Sequence, residues 1–119
     1  MRGLPPILED HFRSPRGARR LAEPSGRGKA SNPACGDVLE LDVAIDGDRV
    51  VDAGFLAHGC SSVIAVASLA TEAIRGRTVA EARRFDLAAA VAAAGGLPPT
   101  RRHAVSVVGR ALAEALGEA

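Results

Sequence analysis

The stretch Val38-Leu39-Glu40-Leu41-Asp42-Val43-Ala44-Ile45-Asp46-Gly47-Asp48-Arg49-Val50-Val51-Asp52-Ala53-Gly54-Phe55-Leu56-Ala57 decides the fold. Leu39, Leu41, Val43 and Ile45 alternate with Glu40, Asp42 and Ala44, which is the period of a half-buried strand. Asp46-Gly47-Asp48 is a hairpin turn signal. A second strand follows, with Val51, Ala53, Phe55 and Ala57 expected on one face. Together they read as an antiparallel hairpin.

Beyond Gly59 the alternation stops. Val63, Ile64, Ala67, Leu69, Ala70 and Ile74 recur at helical spacing over 61–75, and Gly76 is a C-terminal stop. Thr78-Val79-Ala80-Glu81 is a capping box opening a short helix. Asp86 can cap a helix over 87–94 that Gly95-Gly96 ends, and a last helix runs over 103–116. Upstream, 6–13 reads as a short helix with Ile7, Leu8 and Phe12 apolar and Pro15 as its stop. Residues 14–36 show no sustained period and read as loop, with 14–34 expected to be mobile. The fold class is therefore α+β, a small antiparallel sheet with helices packed on one face, in a single domain over 1–119.

Composition narrows the function. The chain has 119 residues, 47% apolar and 24% charged, with three Phe and neither Tyr nor Trp, so its core is built from small side chains. A net charge of +1 argues against general nucleic-acid binding, which needs a basic stripe to displace counterions. Arg13, Arg16, Arg19, Arg20, Arg27 and Lys29 do cluster early, and read as a solvated arm or as a docking arm for an acidic partner. No stretch approaches the roughly 20 apolar residues of a membrane span. The acids of MRGLPPILEDHF fall where a signal peptide needs an apolar run, so a cytoplasmic location is expected, without a disulfide between Cys35 and Cys60.

Chemistry concentrates in three short segments. Asn32-Pro33-Ala34-Cys35-Gly36-Asp37 places a thiol and a carboxylate before the first strand. His58-Gly59-Cys60-Ser61-Ser62 places a thiol at a helix N-terminus, where free N–H groups favour a thiolate. His103 follows the rigid Leu97-Pro98-Pro99-Thr100-Arg101-Arg102. Cys35, Asp37, Cys60 and His103 are four donors suited to a borderline metal or an iron–sulfur cluster. Each also has a plain alternative: a buried small hydrophobe for the cysteines, a turn residue for Asp37, a solvent-facing helix start for His103. His58 reads as a rim residue or an alternative ligand, and His11 as structural. Ser61 and Ser62 lack the strand–elbow setting of a hydrolase nucleophile.

These segments resemble the IscU/NifU N-terminal family of iron–sulfur cluster assembly scaffolds along nearly the whole chain. Asp10-His11-Phe12 with Ser14-Pro15-Arg16 is similar to the family's early DH-aromatic…NPRN segment. Residues Asn32 to Asp37 match its first ligand loop, and Gly59-Cys60 followed by Ser61, Ala65, Ser68, Thr71 and Glu72 resembles the second. Leu97-Pro98-Pro99-Thr100-Arg101 resembles the LPPVK segment gripped by a dedicated DnaK-class chaperone, with Thr and Arg in place of Val and Lys.

The resemblance implies an IscU/SufU-like fold and a non-enzymatic scaffold or carrier of a transient [2Fe-2S] cluster or iron. It implies Cys35, Asp37, Cys60 and His103 as ligands, and Leu97, Pro98, Pro99, Thr100 and Arg101 as a chaperone site. The implied partners are a cysteine desulfurase, an electron source, a chaperone with its J-type co-chaperone, and apo iron–sulfur proteins. The family's third cysteine usually follows its histidine, and Ala104 stands there, so Cys35 and Cys60 become the candidate sulfur acceptors. Zn2+ suits the same donors, which leaves a zinc-bound persulfide acceptor of the SufU branch, a sulfurtransferase, as one alternative. The direct run from Ala94 to Leu97, without the SufU insertion, favours the IscU-like reading. A degenerate interaction module without metal is the other alternative.

Overall fold

A computed structural model describes residues 4–34 and 36–117. In chain order the elements are α1 (Pro6–Arg13), β1 (Gly26–Asn32), β2 (Asp37–Asp46), β3 (Arg49–His58), α2 (Ser61–Ile74), α3 (Val79–Arg83), α4 (Leu87–Ala93) and α5 (His103–Ala115). A single 3-10 turn, Pro99–Arg101, leads into α5. The sheet is antiparallel with order β1-β2-β3. The core lies on one face, where Leu39, Leu41, Val43, Val50, Ala53 and Phe55 meet Val63, Val66, Ala67 and Ala70 of α2 and Val107, Val108 and Ala111 of α5. The α+β fold with helices on one face is as expected.

Local signals held where the chain's own neighbours set the structure. The Thr78 side chain accepts the Glu81 N–H and Glu81 accepts the Thr78 N–H, and Asp86 accepts the Ala89 N–H. The hairpin expectation holds, with one correction. Val51 is exposed and Val50 faces the core, because the register slips between Ala44 and Ile45. That bulge sets two residues of β3 against one interval of β2 and turns the face over. In α1 the structure buries Leu8 and His11 and leaves Ile7 and Phe12 exposed.

The larger correction concerns 14–34, expected as a mobile loop. Residues 26–32 form β1, paired with β2 from Gly26↔Val43 to Asn32↔Asp37. Its sequence, GRGKASN, lacks apolar alternation because α5 packs directly on its backbone. A Cβ built at Gly26 or Gly28 would run into the carbonyl oxygen of Ala115 or Ala111. Glycine here is the core residue. The free edge of β1 is covered by α5: Glu114 accepts the Lys29 N–H at 2.7 Å and Arg110 donates to the Ser31 carbonyl at 3.1 Å.

Residues 14–25 are tied down as well. The Arg16 N–H donates to Ser68 Oγ at 2.8 Å, His11 Nδ1 lies 2.7 Å from the same oxygen, and Thr71 Oγ1 donates to the Arg16 carbonyl. Gly17 accepts the Phe55 N–H on the open edge of β3. The segment then straps the outer face of the sheet. Arg20 donates to both oxygens of the fully buried Asp42 at 2.9 Å, Leu21 N–H donates at 3.0 Å, and Arg27 adds a second cationic partner. Arg19, Arg20 and Arg27 therefore staple the sheet, while Arg13 and Arg16 pair with Glu9 and Asp10 of α1.

Asp42 gives a pH prediction. Burial pushes its carboxyl pKa up, but bonds from Arg20 and Leu21 and the charges of Arg20 and Arg27 outweigh burial and hold it below the ordinary value. A depressed folded pKa means stability present above about pH 4 and lost as pH falls through the folded value. Asp42→Asn should lower unfolding free energy by about 2–3 kcal/mol at neutral pH, because it strips Arg20 of its buried counter-charge. Urea unfolding at pH 7 and at pH 3 checks this, and the gap between parent and variant should shrink at the lower pH.

Candidate metal centre

Asp37, Cys60 and His103 converge at one end of the sheet. Asp37 is the first residue of β2, Cys60 is the N-cap of α2, and His103 is the first residue of α5. Asp37 is the hub. One carboxylate oxygen accepts the Cys60 backbone N–H at 3.0 Å, and the other accepts from His103 Nε2 at 2.9 Å. In such a pair a carboxylate oxygen accepts and a ring N–H donates. Cys60 Sγ lies 3.9 Å from the same nitrogen. Asp37 is fully buried at its side chain and His103 is 21% exposed, so the centre opens to solvent on the histidine side.

Gly59 makes this approach available. Its φ is +140°, and a Cβ there would fall on the Asp37 carboxylate. A side chain at 59 and the Asp37–Cys60 bond exclude each other. This contact between Gly59 and Asp37 is set by the tertiary fold and not by neighbours in sequence.

The donor set fits a borderline metal. One sulfur, one imidazole nitrogen and one carboxylate oxygen lie within 4.8 Å of one another. Bonds of about 2.0–2.3 Å to such atoms place tetrahedral donors roughly 3.3–3.8 Å apart. A metal taking Nε2 would displace the hydrogen that nitrogen now directs at Asp37, so the Asp37–His103 hydrogen bond would give way on loading.

Cys35, the fourth expected donor, lies outside the described residues. His58 is the exposed last residue of β3, paired with Val38, and is not part of the cluster. His11 is buried against Ser68 with Glu72 at 3.6 Å, in keeping with a structural role, and burial holds its pKa down. Ala104, beside His103, is fully buried. Leu97 is in the core, Thr100 is exposed, and Arg101 donates to Ser62 Oγ at 3.1 Å. That last contact had no sequence signal. An apolar cleft of about 400 Å³ between α4 and α5, lined by Val91, Leu97, Arg102 and Val105, contains none of the three donors.

Comparison with known proteins settles the family. Residues 6–118 match the NifU-like N terminal domain. The chain belongs to this family. Iron-sulfur cluster assembly scaffold protein IscU 1 of Archaeoglobus fulgidus is 35% identical over 107 residues, covering 90% of this chain and 70% of that protein. The protein named as the scaffold IscU of Azotobacter vinelandii is 39% identical over 98 residues, covering 79% and 76%. Among solved structures, a putative scaffold for the SUF system from Fervidobacterium islandicum superposes with a TM-score of 0.76 at 22% identity, covering 93% of this chain and 94% of that one. The N-terminal NifU-like protein of Brucella abortus gives 0.73 at 18% identity, covering 95% and 91%. These two likenesses establish the fold of the NifU-like chain. Among the described residues no helix is long and apolar enough to cross a membrane.

Proposed function

We propose that this NifU-like chain is an iron–sulfur cluster assembly scaffold, holding iron and sulfide as cargo rather than turning over a substrate. The observation that carries the proposal is the convergence of Asp37, Cys60 and His103 from three separate elements onto one small volume. Cys35, two residues before Asp37 in sequence, is the fourth donor in this reading. Relatives at about 35% identity that are named as scaffolds support it.

The donor chemistry suits a carrier. Two thiolates bind iron firmly, whereas a carboxylate is a harder, weaker partner and a neutral imidazole adds no charge. A cargo held this way leaves more readily than one held by four thiolates. Both thiols must stay reduced, which fits a reducing compartment such as the cytoplasm. Sulfur arrives as a persulfide from a cysteine desulfurase. The Cys60 or Cys35 thiolate attacks the terminal sulfur and the donor thiolate leaves. Two electrons from an external reductant then convert that sulfur to sulfide. Ala104 offers no thiol at the position where the resemblance expects a third cysteine, so one of the two remaining cysteines must accept. Apo iron–sulfur proteins receive the cargo, and a DnaK-class chaperone with its J-type partner would act at Leu97–Arg101, whose leucine must first leave the core.

The test is anaerobic reconstitution with iron, cysteine and a desulfurase, reading iron and acid-labile sulfide per chain. Stoichiometric iron and sulfide are expected, with the chromophore lost in Cys60→Ser. Zinc alone, with cluster binding gained only in Ala104→Cys, would overturn the scaffold reading for this chain.

A further inference from the structure

Neither helix that presents a donor is capped by a side chain. Cys60 as the N-cap of α2 makes no side-chain cap bond, and neither does Arg102 at the start of α5. Their first turns must be fixed by something else. Asp37 is one tie, through the Cys60 N–H and the His103 ring. The other runs from Arg101 NH1 to Ser62 Oγ at 3.1 Å, joining the residue two before His103 to the residue two after Cys60. Ser62 is fully buried and Arg101 half-buried, so the acceptor end of this bond lies out of water. Among the described residues Arg101 has no carboxylate partner that would draw it elsewhere.

The two ties respond differently to loading. When a metal takes the His103 Nε2 lone pair, that nitrogen can no longer carry a hydrogen, and its hydrogen bond to Asp37 is lost. The Arg101–Ser62 bond uses no donor atom of the site and is untouched. We propose that Arg101 is a positioning residue of the centre. Through Ser62 it holds the first turns of α2 and α5 at a fixed separation, so that Cys60 and His103 stay in register while Asp37 and His103 exchange their mutual bond for bonds to the cargo. The effect on cargo rests on the scaffold reading; the tie itself does not.

The experiment therefore has a metal-free arm and a loaded arm. In apo protein, Arg101→Met should raise amide exchange at Val63 and Ile64 and peptide-resolved alkylation of Cys60 by about tenfold, the usual weight of a hydrogen bond from a charged donor. Ser62→Ala should do the same, and the double variant should be no worse than either single one, since both remove one interaction. Arg101→Lys should recover part of the effect. Arg110→Met, which breaks a distant tie to Ser31, should leave Cys60 unchanged. In the loaded arm, Co2+ titration followed by its thiolate charge-transfer band should show about tenfold weaker binding in Arg101→Met, with the thermal midpoint of apo protein little moved. Parent-like exchange and alkylation in Arg101→Met, or additive single variants, would overturn the tie. Loss of protection at Cys60 with unchanged Co2+ affinity would overturn its role in positioning. A parent that takes up no cobalt would overturn both the metal reading and the loaded arm, while the apo readouts still decide the tie.

Discussion

Gly28→Val should remove about 3 kcal/mol or more of folding free energy, a large share of what a domain of this size possesses. A Cβ at Gly28 points into the backbone of α5, 2.7 Å from the Ala111 carbonyl carbon and 2.9 Å from the Ala115 nitrogen, with the Ala111 oxygen nearer still. Backbone cannot rotate aside as a flexible side chain can, so the helix itself has to lift off β1. Lifting it uncovers Val107, Val108, Ala111 and Leu112, all of them buried. It also carries off the Glu114 and Arg110 contacts that cover the β1 edge. Urea unfolding gives the measurement, and a shift in midpoint of less than about 1 kcal/mol equivalent would show that α5 does not rest on the glycine backbone. Gly109 on the same helix is the internal comparison. Nothing lies within 4 Å of a Cβ there, so Gly109→Ala should be stabilising by up to about 1 kcal/mol through helix propensity.

Gly59→Ala should strongly weaken metal binding at the candidate centre while leaving a folded protein. The added methyl group falls on the Asp37 carboxylate, and alanine resists a φ of +140°. Relief requires Asp37 to swing away from Cys60 N–H, from His103, or from both. Either movement dissolves the hub, so Zn2+ or Co2+ affinity should drop by about 100-fold, on the scale of losing one ligand's support. Gly59 sits exposed between β3 and α2, so the stability loss should stay near 1–3 kcal/mol, the scale of local backbone strain. Asp37→Ala is the companion variant and should match it in metal affinity. Titration with cobalt, read against circular dichroism of the apo protein, separates a lost site from a lost fold. An affinity within threefold of the parent would place Asp37 outside the ligand set.

Much of the fold was legible because its signals are local. The Leu39-Leu41-Val43 alternation, the Gly47-Asp48 turn, the Thr78–Glu81 capping box and the Asp86 cap each need residues no more than a few places apart. What failed did so for one reason. The Val50/Val51 inversion is a slip against β2, β1 is a strand because α5 covers its glycines, and the Arg20 strap answers a charge at Asp42 twenty-two places on. Reading hydrophobic period alone treats GRGKASN as loop, since its buried face has almost no side chains to count.

The site divides along the same line. The sequence by itself determined which groups are available: Cys60 at a helix start, Asp37 before a strand and His103 after a double proline, each set by its own neighbours. Only the tertiary structure decided how they work together. Asp37 meets His103 across 66 residues and Cys60 across 23, and Arg101 meets Ser62 across 39. Those meetings follow from α5 lying on glycine backbone and α2 lying on the hairpin, which brings three helix and strand ends to one edge. Local propensity writes each end of the chain's elements; packing chooses which ends become neighbours.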